Sequence, residues 1–145
     1  MRTEIVNPAE WIPKVSNLLA ANWAETGFDF PLVPNVDAYQ RIFDAGMVFG
    51  VVVLEGDTIA GYCSVTVVPH AHNASVIVAS NDALFIAPEF RHGLATGRLI
   101  KACKDEAKAR GADRFTWHCR FGTPFADVLI AHGCVPVDVV VMERL

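Results

Sequence analysis

A mixed α/β (α+β) domain, with a central mixed but mostly antiparallel sheet flanked by helices, is the fold class this sequence predicts. Three stretches predict it. Met47 to Leu54 is an almost unbroken Val-rich run, Glu55-Gly56-Asp57 is a tight turn, and Thr58 to Val68 returns as the second arm of a hairpin. Ser75 to Ala87 is a third long strand after the reversal at Pro69 to Asn73, so short loops imply an antiparallel meander. Leu94, Leu99, Ile100, Cys103 and Ala107 then recur at helical spacing, with Lys and Arg on the other face and Arg110-Gly111 as a stop.

The remaining elements follow in order. Thr3 to Val6 forms a short opening strand, and Asn7-Pro8-Ala9-Glu10 carries an N-cap, a first-turn proline and a Glu at the third position. The helix behind it buries Trp11, Val15 and Leu18 or Leu19, and Pro13 kinks it or delays its start, because proline removes a backbone bond. Trp23 to Pro34 is a loop whose aromatics read as core rather than as a lid. Asn35 caps a second helix with Val36, Tyr39, Ile42 and Phe43 on one face, and Gly46 ends it. Downstream of the long helix, Asp113 to Cys119 is a strand, Thr123-Pro124 caps a helix running to Gly133, and Cys134 to Leu145 is a closing strand. Strand, helix, strand is a crossover that makes the two strands parallel, which makes the sheet mixed.

Size and composition bound the function. At 145 residues the chain reads as one domain with one core, and no apolar run is long enough to span a bilayer. The N-terminus lacks an apolar signal core, so the expected location is cytoplasmic. A net charge of −4 without a basic cluster points away from nucleic acid. Cys63, Cys103, Cys119 and Cys134 are scattered with no CxxC pair, and they read as small buried hydrophobes in a reducing compartment. His70-x-His72 has no third ligand nearby, so no metal is expected.

The chain is organised around Leu84 to Ile100. A buried strand, Leu84-Phe85-Ile86-Ala87, is stopped by Pro88 and passes through a loop holding Gly93 and Gly97 directly into the long helix. Such a handover aims unpaired backbone amides and the positive end of the helix dipole at one point, which suits a phosphate. With Pro-Glu-Phe-Arg before the turn and Arg-Leu-Ile after it, the stretch resembles the acetyl-CoA loop of the GCN5-related N-acetyltransferase (GNAT) superfamily, and the order of elements resembles that fold over essentially the whole chain. Ala126 to Cys134 is similar to the family's second signature, a helix ending in Gly-Phe.

The resemblance implies a splayed strand pair, one strand before the loop and one after the long helix, with the pantetheine arm of acetyl-CoA between them. It implies that backbone groups of Phe85, Ile86 and Ala87 meet the pantetheine and acetyl group, and that the amides of Arg91, His92, Gly93, Leu94, Ala95, Thr96 and Gly97 meet the pyrophosphate. It implies an amine acceptor and, as is common in the family, a homodimer. This sequence departs from the pattern at three points. The family's Arg-x-x-Gly-x-Gly falls without gaps on Arg91, Leu94 and Thr96; a shift of one residue recovers Gly93 and Ala95 but puts Phe90 on the Arg position. Leu129 stands where many members carry a general-acid Tyr, and Cys134 stands where Phe is usual.

Acyl transfer to an amine needs a deprotonated nucleophile, donors for the oxyanion and a proton for the leaving sulfur. A strand amide near Ile86 is the oxyanion candidate. Asp82, four residues earlier, lies where the resemblance places a general base, and its structural alternative is a solvated Asp at a strand interruption. His118 has the intrinsic pKa for proton work and is the second catalytic candidate. The sequence thus reads as an N-acetyltransferase using acetyl-CoA on an amine by direct attack. The alternative is a GNAT-shaped domain that has lost turnover and serves as a CoA-binding or interaction module, and a third reading replaces acetyl-CoA by a longer acyl-CoA.

Overall fold

The computed structural model describes residues 1–91 and 93–145. Its elements run β1 (Arg2–Val6), α1 (Pro8–Trp11), α2 (Ser16–Thr26), α3 (Val36–Asp44), β2 (Val48–Glu55), β3 (Thr58–His70), β4 (Asn73–Ile86), a 3-10 turn (Pro88–Phe90), α4 (Ala95–Ala109), β5 (Arg114–Thr116) and α5 (Pro124–Ala131). The five strands lie side by side in chain order. β1 to β4 are antiparallel to their neighbours, and β5 joins β4 in parallel through the α4 crossover.

Local chemistry explains the boundaries. Asn7 Oδ1 accepts the Ala9 amide at 3.0 Å and Pro8 opens α1, but the proline at 13 stops the helix after Trp11, and α2 starts afresh at Ser16. Asn35 caps α3 by accepting the Ala38 amide. Gly46 follows that helix at φ 71°, a left-handed conformation that suits glycine.

The sheet is covered on both faces. On one side α4 buries Leu99, Cys103 and Ala107 against Phe49, Val51, Val53, Val65 and Ala79. On the other, Val15, Trp11, Leu18 and Leu19 pack on Val52, Leu54, Tyr62 and Phe85. Each fully buried aliphatic side chain contributes about 1.5–3 kcal/mol by leaving water, so the central strands are the anchor of the fold. Among the described residues, no helix is long and apolar enough to cross a membrane.

Three expectations are corrected. The closing strand does not form: 135–145 carries no strand, and among the described residues no backbone hydrogen bond reaches it. Pro136 and the exit from α5 leave it as an exposed arm. Cys134 is therefore exposed and Cys119 half-buried, while Cys63 and Cys103 are buried as expected. The aromatics of the α2–α3 loop are not core either. Phe28 and Phe30 stack 5.2 Å apart against Trp23 but stay 43% and 48% exposed, because no element covers that loop.

Candidate active site

The site begins where β4 and β5 part. Among the described residues their backbones pair only at Val78 with Arg114, Ala79 with Phe115 and Ser80 with Thr116, after which β4 runs on to Ile86 without a strand neighbour on that side. Asn81 sits at the fork, 2% exposed. Its side chain replaces the missing ladder, donating to the His118 carbonyl at 3.1 Å and accepting the His118 amide at 2.7 Å. The strands are thus held one side chain apart, and the gap opens into a cleft walled by Phe85, Ile86, Thr96, Trp117, His118 and Phe125.

On the β4 wall, Ala87 donates its amide to Ala60 of β3 at 2.9 Å. Alternation along an extended strand then turns the backbone groups of Ile86 to the opposite, open side. The Ile86 carbonyl there accepts Arg91 Nε at 2.9 Å, which leaves the Ile86 amide as the strand donor facing the cleft. Phe85 is turned toward β3 by the same alternation, so its backbone is not presented to the gap.

At the inner end of the cleft lies the start of α4. The Arg91 and Gly93 amides turn back within the loop, to the carbonyls of Pro88 and Phe90, both at 3.3 Å. The amides of Leu94, Ala95, Thr96 and Gly97 meet no acceptor among the described residues. His92 lies outside the described residues. The space over this turn is open: a Cβ built on Gly97 would meet no atom within 4 Å, and one on Gly93 only the Phe90 oxygen at 3.8 Å. Leu94, at the helix cap, points outward at 68% exposure, so its side chain does not fill the cradle.

Asp82 owes its position to a bulge. Ser64 pairs with Ala83 while Val65 pairs with Asn81, so Asp82 is the extra residue of β4, and a bulge re-aims its side chain out of the sheet. Two hydroxyls meet Oδ2: Tyr39 from α3 donates a short hydrogen bond, and Ser64 Oγ donates at 3.2 Å. Burial, and then the bond to Asp82, push the Tyr39 phenol well above its ordinary pKa, so it stays protonated as a donor. Next to it, Tyr62 accepts from Asn22 Nδ2 at 3.0 Å, with its phenol pushed up to about 12, chiefly by burial.

His118 is exposed on the facing wall, fixed through its backbone, and among the described residues its imidazole makes no hydrogen bond. The cleft mouth is tied to α2 by Glu25, which meets Arg91 at 2.6 Å and Arg120 at 3.4 Å. Leu129 of α5 is buried where the family resemblance would look for a tyrosine, so that part of the wall is apolar. His70 and His72 lie at the β3–β4 turn, ring centroids 5.7 Å apart.

The fold thus gathers Asp82, Ile86, His118 and the α4 amides around one cleft. The sequence reading missed Tyr39, Ser64 and Asn81. Tyr39 had been placed on the apolar face of its helix, and a buried phenol needs a hydrogen-bond partner, which was the available signal. Asn81, in a polar triplet inside an apolar strand, carried the same kind of signal.

A search of curated proteins finds no match to the chain. Among solved structures, an aminoglycoside acetyltransferase, meta-AAC0020 from an uncultured soil metagenomic sample, is 15% identical, with a TM-score of 0.75 over 99% of this chain and 94% of that one. The ribosomal-protein-alanine N-acetyltransferase from Brucella melitensis biovar Abortus 2308 is 11% identical, with a TM-score of 0.71 over 100% and 99%. AAC(6')-Iy in complex with the bisubstrate analogue CoA-S-monomethyl-acetylneamine is 16% identical, with a TM-score of 0.74 over 100% and 99%. At these identities the likeness speaks for the fold alone. The acetyltransferase (GNAT) family model, however, matches residues 14–126, and the chain belongs to that family of N-acetyltransferases.

Proposed function

We propose that this protein moves an acetyl group from acetyl-CoA to an amine by direct attack, in the cytoplasm, with Asp82 as general base. The observation that carries the reading is the opening of β4 from β5 beside the first turn of α4, whose Leu94 to Gly97 amides meet no acceptor among the described residues. The residues present fit the co-substrate. The Leu94 to Gly97 amides and the helix dipole offer four donors to a pyrophosphate, and the open space over Gly97 admits it to contact distance. The gap held by Asn81 accepts an extended pantetheine arm.

In this reading the Ile86 amide faces the thioester carbonyl and stabilises the charge that develops on its oxygen. The amine nitrogen attacks the carbonyl carbon, a C–N bond forms and the C–S bond breaks. The surplus proton of the nitrogen passes to Asp82, directly or through one water. Tyr39 and Ser64 fix the carboxylate orientation by donating to Oδ2 and leave Oδ1 for that proton. The sulfur leaves as a thiolate and takes its proton from water, with His118 on the facing wall as the group that can relay it. Holding the reactants in line supplies much of the acceleration, so a residue at the Leu129 position need not donate.

Calorimetric titration with acetyl-CoA, then a thiol-release assay over a panel of amines, tests the reading. Saturable binding and amine-dependent release of free CoA are expected. Absence of binding at millimolar acetyl-CoA removes the co-substrate assignment, and binding without release for any amine leaves a CoA-binding module instead.

A further inference from the structure

An acceptor that brings its amine to Asp82 lays the rest of its body along the walls around it. Asp82 shares its cavity with Tyr39 of α3, Trp23 of α2 and Phe28, Leu32 and Pro34 of the α2–α3 loop. The rings of Trp23, Phe28 and Phe30 make a continuous aromatic face there, with centroids 5.2 to 5.3 Å apart. Local hydrogen bonds, not core packing, hold that face in shape. Trp23 Nε1 donates to the Phe30 carbonyl at 3.0 Å, and Thr26 Oγ1 donates to the Trp23 carbonyl at 2.8 Å while accepting the Phe28 amide at 3.2 Å. Gly27 turns the chain between them at φ 71°. Phe28 and Phe30 are thus kept in place although nearly half exposed to water, and a fixed apolar wall that continues a polar cleft is the form of a ligand pocket.

The charges around this wall are as selective as the rings. Among the described residues, α2, α3 and β4 bring two carboxylates to the cavity, Glu25 and Asp82. Glu25 is taken up by Arg91 at 2.6 Å and Arg120 at 3.4 Å, and two guanidinium charges against one carboxylate leave an excess of positive charge. Asp82 is bonded by Tyr39 and Ser64 through Oδ2 alone, so Oδ1 is the acceptor left for a substrate nitrogen. The cavity's other acids, Asp127 and Asp138, belong to α5 and the segment after it. One cationic nitrogen is therefore matched at this end of the site, and a second that reaches α2 meets Arg91 and Arg120 and is repelled. We propose, on the acetyl-transfer reading above, that the acceptor is a monoamine with an aromatic body, its nitrogen at Asp82 and its ring against Phe28, and that polycations are poor acceptors. The nitrogen gains the acetyl group and loses one proton to Asp82, and CoA leaves as the thiolate.

Two measurements on the full chain test it, each with phenethylamine, ethylamine, spermidine and kanamycin. Calorimetric titration of the amine, with and without CoA, reads binding apart from turnover, and thiol release with acetyl-CoA reads transfer. Phenethylamine is expected to bind, and its kcat/KM is expected to exceed that of the other three by about ten-fold or more, the discrimination an apolar pocket gives. Phe28→Ala is expected to lower the phenethylamine-to-ethylamine ratio of kcat/KM by about ten-fold, and Phe28→Tyr, which keeps the ring, to restore it. A polycation that serves as well as phenethylamine, or an unchanged ratio in Phe28→Ala, overturns the proposal and leaves acetyl transfer standing. Failure of phenethylamine to bind overturns the proposal whatever the transfer assay shows. Phenethylamine that binds without release of CoA from any amine overturns the acetyl-transfer reading instead. The pocket's preference is then read from the ratio of Kd values in the same variants, where an unchanged ratio in Phe28→Ala overturns it.

Discussion

Asn81 and His118 exchange two hydrogen bonds, side-chain amide to backbone, at the point where β4 and β5 cease to pair. A backbone ladder would have drawn the strands to about 4.8 Å and closed the cleft. The Asn81 side chain instead satisfies both groups of His118 while keeping the strands apart, and its own burial makes those two bonds its only partners among the described residues.

Replacing Asn81 by Ala is expected to do two things at once. The His118 amide and carbonyl lose their partners, which costs about 1–3 kcal/mol of stability. The gap loses its spacer, and acetyl-CoA affinity should fall by roughly a factor of ten, about 1.4 kcal/mol. Urea denaturation and calorimetry at a temperature where the variant is fully folded read the two effects separately. A loss of stability with unchanged affinity would make Asn81 a structural residue only.

Asp82 and the hydroxyls that hold it make a second prediction. Asp82→Asn keeps the size and the contact with Ser64 but cannot take a proton, so kcat should fall by about 10²–10⁴, the usual share of a general base. Tyr39→Phe leaves the carboxylate in place and removes one of its two orienting donors, so it should lower kcat by a smaller factor, with KM for acetyl-CoA unchanged. Steady-state kinetics with a competent amine decide it. A Tyr39→Phe enzyme as slow as Asp82→Asn would mean that the phenol itself touches the reacting atoms.

Much of this arrangement was legible in the sequence, and the limits have physical causes. The meander, the α4 crossover and the loop before it were readable because Val-rich runs, tight turns and 3.6-residue spacing are local signals. Asp82 was legible as a polar interruption of a strand, but which face it would take was not, because a bulge shifts the side-chain alternation by one residue. Tyr39 joins Asp82 across 43 positions of sequence, and nothing local announces such a contact. The closing segment differs for a similar reason: its Val-rich pattern is that of a strand, but a strand needs an edge, and among the described residues 135–145 does not pair with the one that β5 leaves open.

Two glycines of the site should respond with opposite signs. A Cβ at Gly61 would stand 2.5 Å from the Phe85 carbonyl oxygen and 2.5 Å from Ile86 Cδ1, so Gly61→Ala must push β4 away from β3 and is expected to cost about 1–3 kcal/mol. Gly97, in the first turn of α4, has open space around it, and Ala is the better helix former by about 0.8–1.0 kcal/mol. Gly97→Ala should therefore raise the melting temperature of the free protein while weakening acetyl-CoA binding, because the new methyl stands where the pyrophosphate approaches. Thermal shifts with and without acetyl-CoA show both effects, and a Gly97→Ala protein that binds as well as the parent would place the pyrophosphate elsewhere.

The buried phenols predict how stability responds to alkali. Burial pushes the Tyr62 phenol from 10.0 up to about 12, against the opposing donation from Asn22 Nδ2. Above pH 10 the unfolded chain releases this proton while the folded chain keeps it, so the unfolded state gains. The contribution is complete below pH 10 and is lost as pH rises through about 12. At about 1.4 kcal/mol per pH unit, that loss reaches about 3 kcal/mol at most. Tyr39, raised by burial and then by its bond to Asp82, acts in the same direction. Urea midpoints measured through this range should fall steeply for the parent, less steeply for Tyr62→Phe, and least for Tyr62→Phe combined with Tyr39→Phe. Equal slopes in all three would mean that water reaches both phenols and that the α2 and α3 helices do not seal this face of the sheet.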